Sequence, residues 1–410
     1  MNQLVESSML AAFLIFAWSR PTRKAWLLSA VAAMALGCYC GPPFTRYCGI
    51  PGGILPKVVH LFCYWGLGAI LSGPFVPFLD RHIPLSSSLG RWRDMLVPPL
   101  FVVLSSLSLH AMILLRPATY DRFLYAFDGS LGFQPGFWAA KVLMHNYWLG
   151  VVCNAAYFQL PLALTLAYLV EKKRSRDSAR RALWLFLLIG IVGFACYQVL
   201  PAVGSAAAMP GVFPTAEPRL QPADIQPVDA LTGVRNCIPS LHTSWMVALW
   251  WIAAPRRRWL RIVVAALLGC ALFCTLAFHY FIDMVVALPF TVALFALTQH
   301  HRTRSDRIRR ETILWSLSLF FGWLLALRFS VTVFLISPWL PWAAIAATVA
   351  LSVGLHSRAV REAQTTRLHS KSFSSSTPLR STRNTERTTN PIGRFTASAR
   401  PIKAGNTTTT

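Results

Sequence analysis

Charge is scarce in this chain. Only 13% of its 410 residues are Asp, Glu, Lys or Arg, about half of the ~25% usual in a soluble domain. That shortage excludes an ordinary soluble protein. A hydrophobic share of 55% excludes a largely disordered one. Negative charge is scarcer still, with 15 Asp and Glu against 39 Lys and Arg, a net charge of +24. A basic balance of that size can indicate nucleic acid. Here, however, the cations collect in short blocks between apolar runs, which is the pattern of membrane topology. No nucleic-acid partner is therefore expected. Metal and redox cysteine motifs are also missing. Among nine cysteines, Cys153, Cys196, Cys270 and Cys274 sit inside apolar runs, where a free thiol acts as a small hydrophobe. Cys38, Cys40 and Cys48 surround one short loop and Cys237 lies in another, so a disulfide there depends on which compartment the loops face. There is no internal repeat, and no Ser or Cys stands in a setting suited to acyl transfer.

What the sequence has in abundance is long apolar runs. About eleven read as spans, near 5–18, 25–41, 58–79, 95–115, 147–170, 182–200, 239–254, 259–278, 280–298, 312–336 and 338–356. The first is followed, not preceded, by Arg20, Arg23 and Lys24, the reverse of a secretory signal peptide. It is read as a retained span. Further basic blocks contain Arg81, Arg91 and Arg93, then Lys172 to Arg181, then Arg256 to Arg261, then five arginines between His300 and Arg310. If all eleven runs span, every block falls on one side, which is the cytoplasmic side. The fold class expected is an all-α polytopic transmembrane bundle. Residues 1–115 form N-terminal helices, 116–300 a catalytic domain with a bundle of roughly six helices, and 301–356 C-terminal helices. Residues 357–410 form a basic Ser/Thr-rich tail that cannot bury enough apolar surface to fold alone and lies on the cytoplasmic side.

Two outer segments carry structure of their own. Residues 116–146 contain Asp121 and Asp128, which either hydrogen-bond a polyol headgroup or, the reading preferred here, cap short interfacial helices. Residues 201–238 are proline-studded and end at the strongest motif in the chain, which favours a lid or rim.

That motif is Pro239-Ser240-Leu241-His242-Thr243, and its companion is His279-Tyr280-Phe281-Ile282-Asp283. The seventh run goes inward from Pro239 and the eighth returns outward to His279, so both histidines lie at one depth on one face. Asp283 follows His279 by four residues. In a helix that spacing sets the carboxylate beside the imidazole, and in a turn Asp283 still reaches it. A carboxylate can fix one ring nitrogen and leave the other as a nucleophile or base, while a second His protonates a leaving group. Two His and one Asp are also a feasible zinc set. The residues themselves favour phosphoryl transfer by a modest margin.

Pro239-Ser240-Leu241-His242 resembles the second signature of the type 2 phosphatidic acid phosphatase superfamily, usually Pro-Ser-Gly-His. His279 with Asp283 resembles its third. Leu in place of Gly, and the run His-Tyr-Phe-Ile-Asp, are similar to inositol phosphoceramide synthases. His242-Thr243 and His279-Tyr280 are similar to sphingomyelin synthases. The match is specific over about residues 180–300. The resemblance implies that His279 is the nucleophile, Asp283 orients and charge-stabilises it, and His242 protonates the leaving group. It implies no metal or other cofactor. The phosphatases' first signature is missing, and Leu272-Phe273 stand where the third should carry Ser-Arg. The phosphate clamp is therefore unassigned. Arg235, Ser240, Tyr280 and the intramembrane Arg328 are the candidates for contacting substrate.

The expected function is a membrane phosphotransferase that moves a phosphate-ester headgroup through a phosphohistidine at an outer-leaflet site. Its substrate is a phospholipid or lipid phosphate, with a lipid alcohol as the acceptor. The alternatives are a lipid phosphate or polyprenyl pyrophosphate phosphatase with the same site, and a lipid or small-molecule transporter. The site faces the periplasm if the source is bacterial.

Overall fold

The computed structural model describes residues 3–40, 46–47, 50–51, 54–79, 84–218, 220–230, 233–253, 257–299 and 305–375. Arg81, Cys48, Arg256, residues 300–304 and the tail beyond Ser375 lie outside the described residues. Residues Met1–Gln364 form one compact unit that contains the candidate active site and the cavity described below, and Thr365 begins a second unit.

The architecture is an all-α polytopic membrane bundle. The N-terminal helices are α1 (Gln3–Trp18), α2 (Arg23–Cys40), α3 (Ile54–Ser72), α4 (Val76–Leu79) and α5 (Leu85–Leu115). They are followed by α6 (Asp121–Gly129), α7 (Pro135–His145), α8 (Tyr147–Phe158), α9 (Leu160–Arg174) and α10 (Arg176–Cys196). A long loop holding α11 (Ser205–Ala208) leads to α12 (Leu241–Ala253), α13 (Arg258–Phe278) and α14 (Phe281–Thr298). The last helices are α15 (Ser305–Phe329), α16 (Val331–Phe334) and α17 (Trp339–Ser375). Short antiparallel pairs join Arg46–Tyr47 to Ile50–Pro51 and Ala118–Thr119 to Val228–Asp229.

Among the described residues, seven helices are long and apolar enough to cross a membrane, and eight when the bent α8–α9 pair counts as one span. The eleven expected runs therefore include three that form helices outside that set: α1, α2 and α12. With 13 residues, α12 is only about 20 Å long, short of a ~30 Å hydrocarbon core. The α8–α9 pair bends by 51° at Gln159, where Pro161 enters the first turn of α9. At the C-terminal end, α17 continues through residues 357–375, which were expected to open the unfolded tail. Arg358 on this extension pairs with Glu311 of α15 at 3.2 Å.

The centre of the bundle is α14. It is buried from Ile282 to Ala296 along most of its faces, because its sequence is apolar all round. It packs on α10, α12 and α15. Separately, α1 packs against α3, α5 and α9, and so joins the N-terminal helices to the rest.

Candidate active site

The loop and helix ends around α14 bring the two sequence motifs together. Helix α13 stops at Phe278, and His279 follows in extended backbone. Helix α14 restarts at Phe281. The four-residue offset from His279 to Asp283 therefore crosses a turn, not a helix face. Asp283 lies in the first turn of α14, and its Oδ2 accepts the Tyr280 N–H at 3.1 Å. The same Oδ2 is 3.5 Å from His279 Nδ1. The Ser240 N–H donates to the Asp283 carbonyl at 3.1 Å, which ties the first motif to the second. His242 in the first turn of α12 then faces His279, with ring centroids 6.3 Å apart. Tyr157 stacks on the other side of His242 at 3.9 Å and 14°, fixing its plane.

Two buried carboxylates on α6 hold this turn from behind. Asp121 accepts from the N–H groups of Val203 (3.0 Å) and Gly204 (2.9 Å) and from the Tyr280 hydroxyl (2.9 Å). Asp128 accepts from the N–H groups of Phe281 (2.7 Å) and Ile282 (3.2 Å), capping α14. They cap across the fold, where the sequence suggested caps on local helices or contacts to a polyol. Desolvation raises the Asp128 carboxyl to about 8, assisted by the Asp283 charge and opposed by the two N–H donors. Asp121 is raised to about 6, also by desolvation against its donors. Gly204 has φ +89°, and a Cβ there would meet the Phe278 carbonyl at 2.3 Å, so only glycine lets the loop approach this close to His279.

The four residues expected to contact substrate are engaged within the protein. Arg235 is fully buried and donates to the carbonyls of Arg116 (3.2 Å), Pro117 (3.0 Å), Gly233 (2.6 Å) and Ala230. It closes the long loop onto the strand pair. Ser240 Oγ accepts from the N–H (3.3 Å) and hydroxyl (3.1 Å) of Thr243, as an N-cap of α12. The Tyr280 hydroxyl is taken by Asp121. Arg328 donates to the Val199 carbonyl and lies 4.8 Å over the Tyr120 ring.

His242 and His279 line one end of a cavity of about 500 Å³. Among the described residues no Lys or Arg lines it, and Asn236 is the amide side chain at its histidine end. Cys237 is buried, and it is free, as is every other cysteine whose side chain is described. Its Sγ, a His279 ring nitrogen and an Asp283 oxygen lie within 4.8 Å of one another. This trio is a feasible metal-ligand set by distance.

Residues 122–297 match the PAP2 superfamily. The match runs from α6 to the end of α14 and so contains His242, His279 and Asp283. Members of the PAP2 superfamily are phosphatases or phosphotransferases, and the match supports an enzyme of this kind acting on lipid phosphates in a membrane. No curated protein and no solved structure matches the chain. Sequence reasoning missed Tyr157, Asn236 and Cys237, all within the matched segment, as neighbours of the histidines. Asn236 and Cys237 are marked only by lying just before Pro239, and Tyr157 looks like any aromatic in an apolar run.

Proposed function

We propose that the protein is a lipid phosphotransferase that moves a phosphodiester headgroup through a phosphohistidine on His279. The observation that carries this reading is the set His279, Asp283 and His242 at the mouth of an apolar cavity lined, among the described residues, by no cation. A phosphodiester is a monoanion and a phosphomonoester is largely a dianion, so a cation-free cavity costs the diester far less desolvation.

With Nδ1 directed at Asp283, Nε2 of His279 is the nucleophile. It attacks phosphorus and forms a P–N bond, while the bond from phosphorus to the lipid oxygen breaks. The departing oxygen takes a proton from His242. The neutral His242 then removes the proton of an acceptor hydroxyl, whose oxygen attacks phosphorus as the P–N bond breaks. A lipid alcohol gives a new phosphodiester, and water gives the free headgroup phosphate. The catalytic face is the outer one, and the basic end of the bundle lies toward the cytoplasm.

Proteoliposomes supplied with headgroup-labelled phospholipids and a lipid alcohol, beside a His279→Ala control, test the reading. Label should move to the new lipid in the native protein alone. Release of all label to water as headgroup phosphate would make it a hydrolase of that phosphodiester bond. Equality with His279→Ala over a broad donor panel would remove the catalytic reading.

A further inference from the structure

The cavity behind the histidines is longer than a headgroup requires, and its far wall is built by helices outside the PAP2 segment. It runs along α5 from His110, at the histidine end, to Asp94. Those 16 positions rise about 24 Å, while one leaflet of a ~30 Å hydrocarbon core is about 15 Å deep. Leu4 and Ile15 of α1 line the same space. The far end carries a polar floor. The Tyr168 hydroxyl donates to Asp94 at 3.1 Å, and Lys172 pairs with the same Asp94 oxygen at 2.5 Å, bridging α9 to α5. Between the histidines and that floor the walls are almost wholly apolar, with Val97, Phe101 and Leu164 among them.

We propose that this cavity is a measuring slot for one hydrocarbon chain of the lipid substrate, with α1 and α5 setting the accepted length. An extended chain advances about 1.2 Å per bond, as the three backbone bonds of each residue do, so about 24 Å takes about 20 carbons. A shorter chain leaves the slot part empty and forfeits dispersion contacts. A longer one meets the Asp94–Tyr168–Lys172 floor and has to fold back or leave. The slot deepens the phosphotransferase reading and rests on it for the chemistry, but not for the binding of the chain.

The test uses purified full-length protein and single-chain alkyl phosphodiesters about 6 to about 24 carbons long. Native protein should show a maximum in kcat/KM near 20 carbons. Val97→Trp narrows the slot 13 positions from His110, so the maximum should fall to about 16 carbons. Ser105→Trp narrows it five positions from His110, so the maximum should fall to about 6. In parallel, binding of unreactive alkylphosphonates over the same lengths is measured on all three proteins, with His279→Ala as a fourth. The same ordered shift in both readouts supports the slot. An unchanged optimum in both Trp variants overturns it. Absence of turnover together with length-dependent binding that shifts in the variants would overturn the catalytic reading and leave the slot standing. Should Ser105→Trp not fold, Val97→Trp alone carries the comparison, and an optimum identical to native overturns the proposal.

Discussion

Arg235, expected from the sequence to contact substrate, is held by the backbone in the fold. It lies four residues before Pro239, at the mouth of the site, and it carries the charge a phosphate needs. In the structure its donors meet four backbone carbonyls from two stretches of chain, Arg116 with Pro117 and Ala230 with Gly233. Burial lowers its pKa, opposed by the charge of Asp121. A lysine in its place has one ammonium and no planar fork, and cannot satisfy those carbonyls together. Arg235→Lys should therefore cost about 2–4 kcal/mol of stability, through lost charged hydrogen bonds and orphaned carbonyls. It should leave KM for the lipid donor within about twofold on the protein that stays folded. Thermal unfolding in detergent and steady-state kinetics check this. A raised KM with an unchanged melting temperature would return Arg235 to the substrate. The grouping of the motif residues was legible because Asp283 follows His279 by four residues and the antiparallel α12 and α13 bring His242 opposite His279. The backbone partners of Arg235 were not legible, because they lie 2 to 119 residues away in the chain.

At the scale of elements, helices were legible wherever a run was long and apolar, as in α5, α10, α13 and α14. The turn between α13 and α14 was left open between helix and turn, because a four-residue offset satisfies both. The role of α6 was hidden. Nothing local shows that Asp121 and Asp128 reach across 82 to 159 residues to hold the loop and the start of α14. Their burial has a measurable consequence. In the unfolded chain an Asp titrates near 3.9, but in the fold Asp128 is raised to about 8 and Asp121 to about 6. Between these values the folded state holds protons that the unfolded state has released. The stability associated with each group is thus full below about pH 4 and is lost as pH rises, through about 6 for Asp121 and about 8 for Asp128. Melting temperature in detergent should fall from pH 5 to pH 8.5. Asp128→Asn, which cannot titrate, should abolish the slope between about pH 6 and pH 8, where Asp128 alone holds the extra proton, and roughly halve it below about pH 6, where Asp121 still contributes. A slope identical in the variant would show that Asp128 is not the titrating group.

The whole molecule separates two kinds of end. Helix pairs α9–α10, α12–α13 and α14–α15 meet at one end of the bundle, where Lys172 to Arg180, Arg257, Arg258 and Arg307 to Arg310 are placed. The α13–α14 turn, the start of α12 and the long loop from Pro201 lie at the other, and they hold the histidines. Antiparallel packing makes the separation: each helix that leaves the basic end delivers its other terminus to the site. Translocating Lys and Arg across a membrane is costly, so this polarity predicts that the basic end stays in the cytoplasm and the histidines face outward. The test places single cysteines at exposed positions of the two ends, Ala216→Cys in the long loop and Asp177→Cys beside Arg176, in a chain whose Cys38, Cys40 and Cys48 are replaced by Ser. A membrane-impermeant maleimide applied to intact cells should label Ala216→Cys. It should reach Asp177→Cys only after the membrane is opened. The reverse result would put the histidines on the cytoplasmic leaflet, and the lipid substrate would then have to be drawn from that side. Labelling of both positions in intact cells would mean that the basic blocks do not fix one orientation, despite their agreement.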